Sequence, residues 1–375
     1  MSWSGPTPAS RTPTRARWAT GPTPRSAYSL PGAAISCPSG GIRWTCGSAG
    51  RSVSTSTPSA AITGCPVPRR SRAREFWTAD LLVNRQQQDV RVKESDTSED
   101  YIDLTSGNVT DYSLKAGRLV VRDLERGYQQ IFETWYGQYV YETVSYDLES
   151  VASATPLADP ENELRPYSES ASALSVGINW DWPNIRGSAF QTVGHHHRAW
   201  VAVANQAWGS DREFNQLYVS SSWHSLLGDR WKLLLRGEVG YTDARVDEFE
   251  LELPDRSFLL SVTELPNLYR FKAGGSRSVR GYAFESLSNN GIGSNNIVTA
   301  SAEIEMNFRR DWSLAAFFDA GNAFNDWGEF ELRKGAGVGI RWYSLVGAVR
   351  LDVAQALDLD GEPWRVHFTI GTPLL

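Results

Sequence analysis

The sequence predicts an all-β fold: the body, residues 75–375, is expected to be an antiparallel transmembrane β-barrel. Three observations predict it. Segments of roughly ten residues alternate apolar and polar side chains, the period of a strand whose two faces see different surroundings. The connections between these segments alternate short and long, the pattern of a barrel with tight turns on one rim and loops on the other. The chain carries 15 Trp, 14 Tyr and 14 Phe, yet its mean hydropathy is −0.37. No apolar run reaches the roughly 18 residues that a membrane-crossing helix needs. Composition alone fits a soluble all-β protein equally well. Strands this long, with aromatics at their ends, favour the barrel over a soluble sandwich.

Residues 1–74 read differently. They contain ten Arg but no Lys, Asp, Glu, Asn, Gln, His or Phe, and are mostly Ser, Thr, Pro, Gly, Ala and Arg. Neither strand nor helix periodicity runs through them. The segment is expected to be a disordered, basic, low-complexity stretch or the product of out-of-frame translation of a GC-rich gene. The abrupt change at Glu75 favours the second. No apolar stretch follows Met1 as a secretion signal would require.

From residue 75 onward, twelve strand segments are expected: 75–92, 110–122, 127–146, 172–182, 197–208, 213–227, 229–243, 295–308, 312–324, 334–344, 347–357 and 364–375. In 231–241, Trp231, Leu233, Leu235, Val239 and Tyr241 share one face, and Lys232, Arg236 and Glu238 the other. In 298–308, Val298, Ala300, Ala302, Ile304, Met306 and Phe308 oppose Thr299, Ser301, Glu303, Glu305 and Asn307. The charged faces must look into the lumen, because a charge facing lipid near the midplane costs about 2–4 kcal/mol. Tight turns are expected at Asp123–Gly127, Gly228–Asp229, Arg309–Asp311 and Leu345–Val346. Long connections are expected at 93–109, 147–171, 244–294 and 358–363, with 183–196 long for its rim. Trp312, Trp342 and Trp364 read as interfacial aromatics.

The longest connection contains Arg270-Phe271 and ends its polar run in Val279-Arg280-Gly281-Tyr282. Two strands on, Phe317, Asp319 and Gly321 share a face opposite Leu314, Ala316 and Phe318, so Asp319 points into the lumen. The next strand offers Gly335, Gly337 and Gly339 inward, against Ala336, Val338, Ile340 and Trp342 outside. A stripe of inward glycines leaves room for a second backbone to lie against the wall.

Together these motifs resemble the BamA/TamA outer-membrane insertase superfamily. They are the Val-Arg-Gly-Tyr loop, the Phe-x-Asp-x-Gly strand and the Gly-x-Gly-x-Gly-x-Arg-Trp strand. Asn205-Gln206-Ala207-Trp208-Gly209-Ser210-Asp211, Leu265-Pro266 and Arg270-Phe271 resemble its TamA branch. Leu345 and Ala348 depart from the family, which usually has Pro in that turn.

The resemblance covers essentially all of 75–375. It implies that the loop folds back into the barrel and that Arg280, flanked by Gly281 and Tyr282, is held by Asp319 and Glu303. It implies twelve of sixteen family strands here, with the first four and the periplasmic POTRA domains absent from the chain as read. It also implies residence in the bacterial outer membrane and non-enzymatic insertion or secretion of client outer-membrane proteins such as autotransporters. The partners implied are a TamB-like inner-membrane protein and membrane lipids. The last strand, 364–375, would present Val366, Phe368, Ile370 and Gly371 at a weak seam, its end loosened by Gly371 and Pro373. A two-partner secretion transporter and a passive porin-like channel are the alternatives.

Other chemistries find little support. Residues 75–375 carry 27 basic and 43 acidic residues, a net of −16, which disfavours a nucleic-acid partner. Cys37, Cys46 and Cys65 match neither zinc nor redox spacing, and all precede residue 75. His195, His196 and His197 read as a solvated rim, not as metal ligands. The 335–339 glycines lack a following helix, so they do not read as a phosphate loop. No Gly-x-Ser-x-Gly elbow is present. No cofactor, metal or enzymatic activity is expected.

Overall fold

The computed structural model describes residues 43–47, 59–66, 74–93, 101–124, 129–146, 167–253, 256–288, 291–344, 347–359, 361 and 363–371. Every described residue belongs to one compact unit, Ala34–Leu375.

Sixteen strands are described. β1 (Arg43–Gly47), β2 (Ser59–Pro66), β3 (Arg74–Lys93), β4 (Tyr101–Asp123), β5 (Gln130–Tyr146), β6 (Tyr167–Arg186), β7 (Val193–Ala204), β8 (Phe214–Leu226) and β9 (Trp231–Ala244) follow in order. Next come β10 (Val246–Leu253) and β11 (Arg256–Thr263). The chain returns as β12 (Asn296–Arg309), β13 (Trp312–Phe324), β14 (Arg333–Ser344), β15 (Gly347–Ala356) and β16 (Trp364–Gly371). One 14-stranded sheet runs from β1 to β9 and on from β12 to β16, and β10 and β11 pair only with each other.

The twelve strands expected after residue 75 are β3–β9 and β12–β16. Three expectations about connections change. The connection at 93–109 is much shorter, because pairing of β3 with β4 continues from Gln86↔Val109 to Lys93↔Tyr101. The connection at 183–196 is much shorter, because pairing of β6 with β7 continues from Trp182↔His197 to Arg186↔Val193. The stretch 244–294 is not one long loop, because it opens with the β10–β11 hairpin, registered from Val246↔Thr263 to Leu253↔Arg256. Alternating Phe, Leu and Glu before Pro254-Asp255 is a hairpin signal of the kind read elsewhere in the chain. Within 1–74, β1 and β2 pair with each other, and β2 with β3. Apart from Arg74, which opens β3, the rest of that segment lies outside the described residues, as do Pro373, the turn at Leu345–Val346 and most of the turn at Asp123–Gly127.

Burial follows the two faces of each strand. Lys232, Glu303, Glu305, Asp319, Arg341 and Asp352 are buried. Val239, Leu314, Phe318, Val338, Leu351 and Phe368 are exposed on the other face. A water-soluble sheet does the reverse; this arrangement suits an apolar solvent outside and a polar interior. Trp312 and Trp342 stack at 6.0 Å near the short-turn rim.

Residues 264–288 and 291–295 lie within the curl of the sheet. Gln88 of β3 donates to the carbonyl of Ile292 at 2.7 Å, and the Gly281 amide donates to His367 of β16 at 3.1 Å. One segment thus touches both ends of the twelve-strand run, so the sheet wraps around it as a barrel wall.

Candidate functional site

The loop after β11 descends into the lumen in two stages. First, Leu265 and Tyr269 pack with Val140, Ala173, Ala202, Ala204 and Phe214 on the β5–β8 wall. The chain then makes bridges at Phe271↔Ser294 and Ala273↔Leu287, and turns sharply at its tip. Gly274 and Gly275 have φ of 103° and 89°, a region that favours glycine. The Gly275 amide donates to the Val279 carbonyl at 3.0 Å, and the Gly274 amide to the Ser278 hydroxyl at 2.7 Å. This tip delivers Arg280 to the opposite wall.

Arg280 is almost wholly buried, and Asp319 entirely so. Its main-chain amide and Nε donate to Asp319 Oδ2 at 3.0 and 2.7 Å, while Nη2 donates to Oδ1 at 2.9 Å. Nη1 donates to Glu303 Oε2 at 2.6 Å and reaches Asp352 Oδ2 at 3.4 Å. The guanidinium carbon stands 3.4 Å from the centre of the Phe317 ring, a cation–π contact. Burial opposes the charge, but Asp319, Glu303 and Asp352 more than offset it and hold Arg280 above its ordinary pKa. The fork of donors matches the carboxylate geometry in a way a lysine could not.

The wall residues are themselves cross-linked. Arg341 donates to Glu303 Oε1 through Nη2 at 2.8 Å and to Asp352 Oδ1 through Nη1 at 2.5 Å. Two guanidiniums and four carboxylates therefore share one buried cluster on β12–β15 and the loop, the fourth being Glu305, 3.8 Å from Arg341 Nε. Sequence reading placed Arg280, Asp319 and Glu303 but left out Arg341 and Asp352. The alternation of their strands supplied the signal: Arg341 has the parity of the inward glycines, and Asp352 lies between outward Leu351 and Val353.

Gly335 and Gly281 let the loop lie so close, while Gly337, Gly339 and Gly321 make room for groups of the wall itself. A Cβ on Gly335 would fall 1.9 Å from the carbonyl oxygen of Arg280. One on Gly337 would meet the Phe317 ring at 2.6 Å, and one on Gly339 the Asp352 carboxylate at 1.9 Å. Gly281, at φ 100°, would bring a Cβ to within 2.7 Å of the Gln355 backbone. Gly321, at φ 152°, sits 2.3 Å from the Val298 carbonyl by the same measure. Tyr282 is buried and donates to the Lys334 carbonyl at 3.2 Å.

A second grip, on the other wall, was not anticipated. The Asn267 amide donates to Glu142 Oε2 at 2.6 Å and its side chain to Asp111 Oδ2 at 3.0 Å. Arg270 Nη2 lies 3.4 Å from Glu142 Oε1. The loop is thus fixed to β4 and β5 at one end and to β12–β15 at the other. Between the loop and the β3–β9 wall remains a cavity of about 730 Å³, bordered by Lys115, Tyr136, Trp200, Tyr218 and Glu238.

Three other readings are placed as follows. Val366, Phe368 and Ile370 of β16 face outward, each more than 60% exposed, and among the described residues only β15 pairs with that strand. The histidines do not form a free rim. His196 lies 2.5 Å from Asp181, His195 is 2.8 Å from Asn184, and His197 contacts the Ser221 hydroxyl and packs on Trp182 and Trp223. The Asn205–Asp211 motif forms a rim turn. Gly209 adopts φ 84°, and Asp211 takes hydrogen bonds from the Ser172 hydroxyl and amide, which hold its carboxyl below the usual range.

An inside-out curled sheet with a charged loop clasped in its lumen defines an outer-membrane β-barrel protein. The chain belongs to the Omp85 superfamily: the family model described as the Omp85 superfamily domain matches residues 69–373. Its fold is similar to that of BamA from Haemophilus ducreyi lacking POTRA domains 1–3, with a TM-score of 0.57 at 17% identity. That match covers 85% of this chain and 62% of the BamA chain, so this chain spans less than two thirds of its relative. CdiB from Acinetobacter baumannii (TM-score 0.44, 14% identity, 83% of this chain and 49% of that one) also matches. So does CdiB from Escherichia coli (0.45, 14%, 83% and 52%).

Proposed function

We propose that the chain supplies the barrel of a TamA-like assembly factor of the bacterial outer membrane. In this reading it helps to insert or secrete β-barrel clients such as autotransporters, together with a TamB-like inner-membrane partner. The work is non-enzymatic: an unpaired strand edge offers a client strand backbone donors and acceptors in register. The observation that carries the reading is the contact between the loop tip and the last strand, Gly281 to His367 at 3.1 Å. It couples the buried clasp to the strand whose outer edge lacks a partner among the described residues. A loop gripped on two walls also speaks against a passive porin, whose lumen must stay open.

Site-specific crosslinking from positions 366, 368 and 370 to newly made outer-membrane proteins tests this. Adducts with several different barrel clients support the assembly role. Adducts with one dedicated exported substrate replace it with a two-partner transporter. No adducts, combined with steady large conductance, replace it with a channel.

A further inference from the structure

The turn between β6 and β7 carries one bulky residue that no other feature of the site uses. Residues 187–192 do not run along the rim. Phe190 is buried and packs with Tyr343 of β14 and Ala348 of β15, strands far from β6 and β7 in the sheet order. Its ring meets that of Tyr343 edge-on, at 6.2 Å and 79°. The turn therefore crosses the short-turn end of the lumen, the periplasmic end in an outer-membrane barrel.

The backbone is shaped for this. Gly187 and Gly194 bracket the turn at φ 84° and 128°. A Cβ on Gly194 would stand 2.0 Å from the Asn184 carbonyl. Between them Ala189 holds φ 53°, which is costly for a residue with a side chain. Inside the turn, the Gln191 amide donates to Ser188 at 3.1 Å and the Thr192 hydroxyl to Ala189 at 2.7 Å. A connection that only had to reverse direction would not need this strain.

Beneath the ring lies Lys232, fully buried, its Nζ 6.0 Å from Phe190 and 5.9 Å from Tyr343. That Nζ has no hydrogen-bond partner, whereas Glu305, its neighbour on β12, accepts from the Tyr343 hydroxyl and lies 3.8 Å from Arg341 Nε. Unpartnered buried polar atoms cost free energy that water would relieve. The closed position thus keeps an ammonium dry at the floor of the lumen, and a strained backbone holds the cover in place.

We infer that the β6–β7 turn is a plug, with Phe190 as its stopper, that separates the lumen floor around Lys232 from the periplasm and can swing out to admit water or chain. This rests on the outer-membrane reading only for which side the plug faces.

The test uses the full chain with Cys37, Cys46 and Cys65 changed to Ser and Lys232→Cys introduced, folded into phospholipid vesicles. A small cationic thiol reagent reports access to position 232. With Phe190 present labelling is slow; with Phe190→Ala it accelerates by about tenfold or more, as for a group released from burial. Equal rates in the two proteins overturn the plug. In a second experiment the photoreactive residue benzoylphenylalanine replaces Phe190 in detergent-folded protein, so no bulk is lost. Adducts within 341–350 support the plug, and adducts only elsewhere overturn it. Failure of the parent protein to enter vesicles would instead count against the membrane reading, and the detergent crosslink is read regardless.

Discussion

Asp319 binds Arg280 twice over, once at the main-chain amide, 3.0 Å from Oδ2, and once at the guanidinium, 2.7 Å from the same oxygen. The carboxylate therefore fixes the loop's backbone as well as its charge. Asp319→Ala removes both and leaves a buried cation against an incomplete set of acids. The expected cost is about 3–5 kcal/mol, typical when one partner of a buried pair is deleted. Asp319→Asn keeps an acceptor for the amide and is expected to cost less. Urea unfolding of the folded protein in micelles ranks the two, and identical midpoints for both variants would remove the dual role.

Gly335 has no space for a methyl group, because the Arg280 carbonyl would be 1.9 Å from it. Gly335→Ala is expected to push the loop off the wall and to destabilise by about 1–3 kcal/mol, the usual range for overpacking. Gly237→Ala is the control, since its nearest neighbour would be the Thr299 carbonyl at 3.8 Å. The control should unfold with the parent. Limited proteolysis at Arg277 should be faster in the first variant alone.

The parity of side chains made much of this legible. Strand alternation places Asp319, Glu303 and the glycines of β14 inward without any knowledge of the loop. It could have placed Arg341 and Asp352 as well, because each shares the buried face of its strand. Parity says nothing about Arg280, which lies in a loop without a period; its position was implied by the family resemblance. The grip of Glu142 on Arg270 was beyond reach, since the two residues are 128 apart in sequence and no local pattern links them. Phe190 was hidden for a related reason: a turn residue's direction depends on backbone angles, here those of Gly187 and Ala189, that the sequence suggests only at the glycine.

The Glu142 grip acts on the first stage of the loop. Glu142→Ala removes the acceptor of the Asn267 amide, at 2.6 Å, and the partner of Arg270. Asn267 and the Arg270 side chain are buried, so the loss is expected to cost about 1–3 kcal/mol, the penalty for an unsatisfied buried donor. Amide exchange should rise at residues 265–272. It should stay close to the parent's at 279–282, which the opposite wall holds through Asp319. Equal loosening of both segments would mean that the loop moves as one piece.

The outward face supplies the sharpest test of the solvent around this sheet. Val338 is 60% exposed in mid-strand, paired with Ala316 on β13 and Val353 on β15. In water an arginine there would be harmless. In a bilayer Val338→Arg is expected to cost about 2–4 kcal/mol, whereas near an interface the same change costs roughly 0–1 kcal/mol. Trp342 lies two outward residues further along β14, close to the short-turn rim, and provides the shallow comparison. Folding titrations in lipid vesicles should therefore separate Val338→Arg from Trp342→Arg, with the deeper site the more costly. If both variants fold like the parent, the exposed apolar face is not lipid-facing, and the barrel would have to be read as a water-soluble sheet.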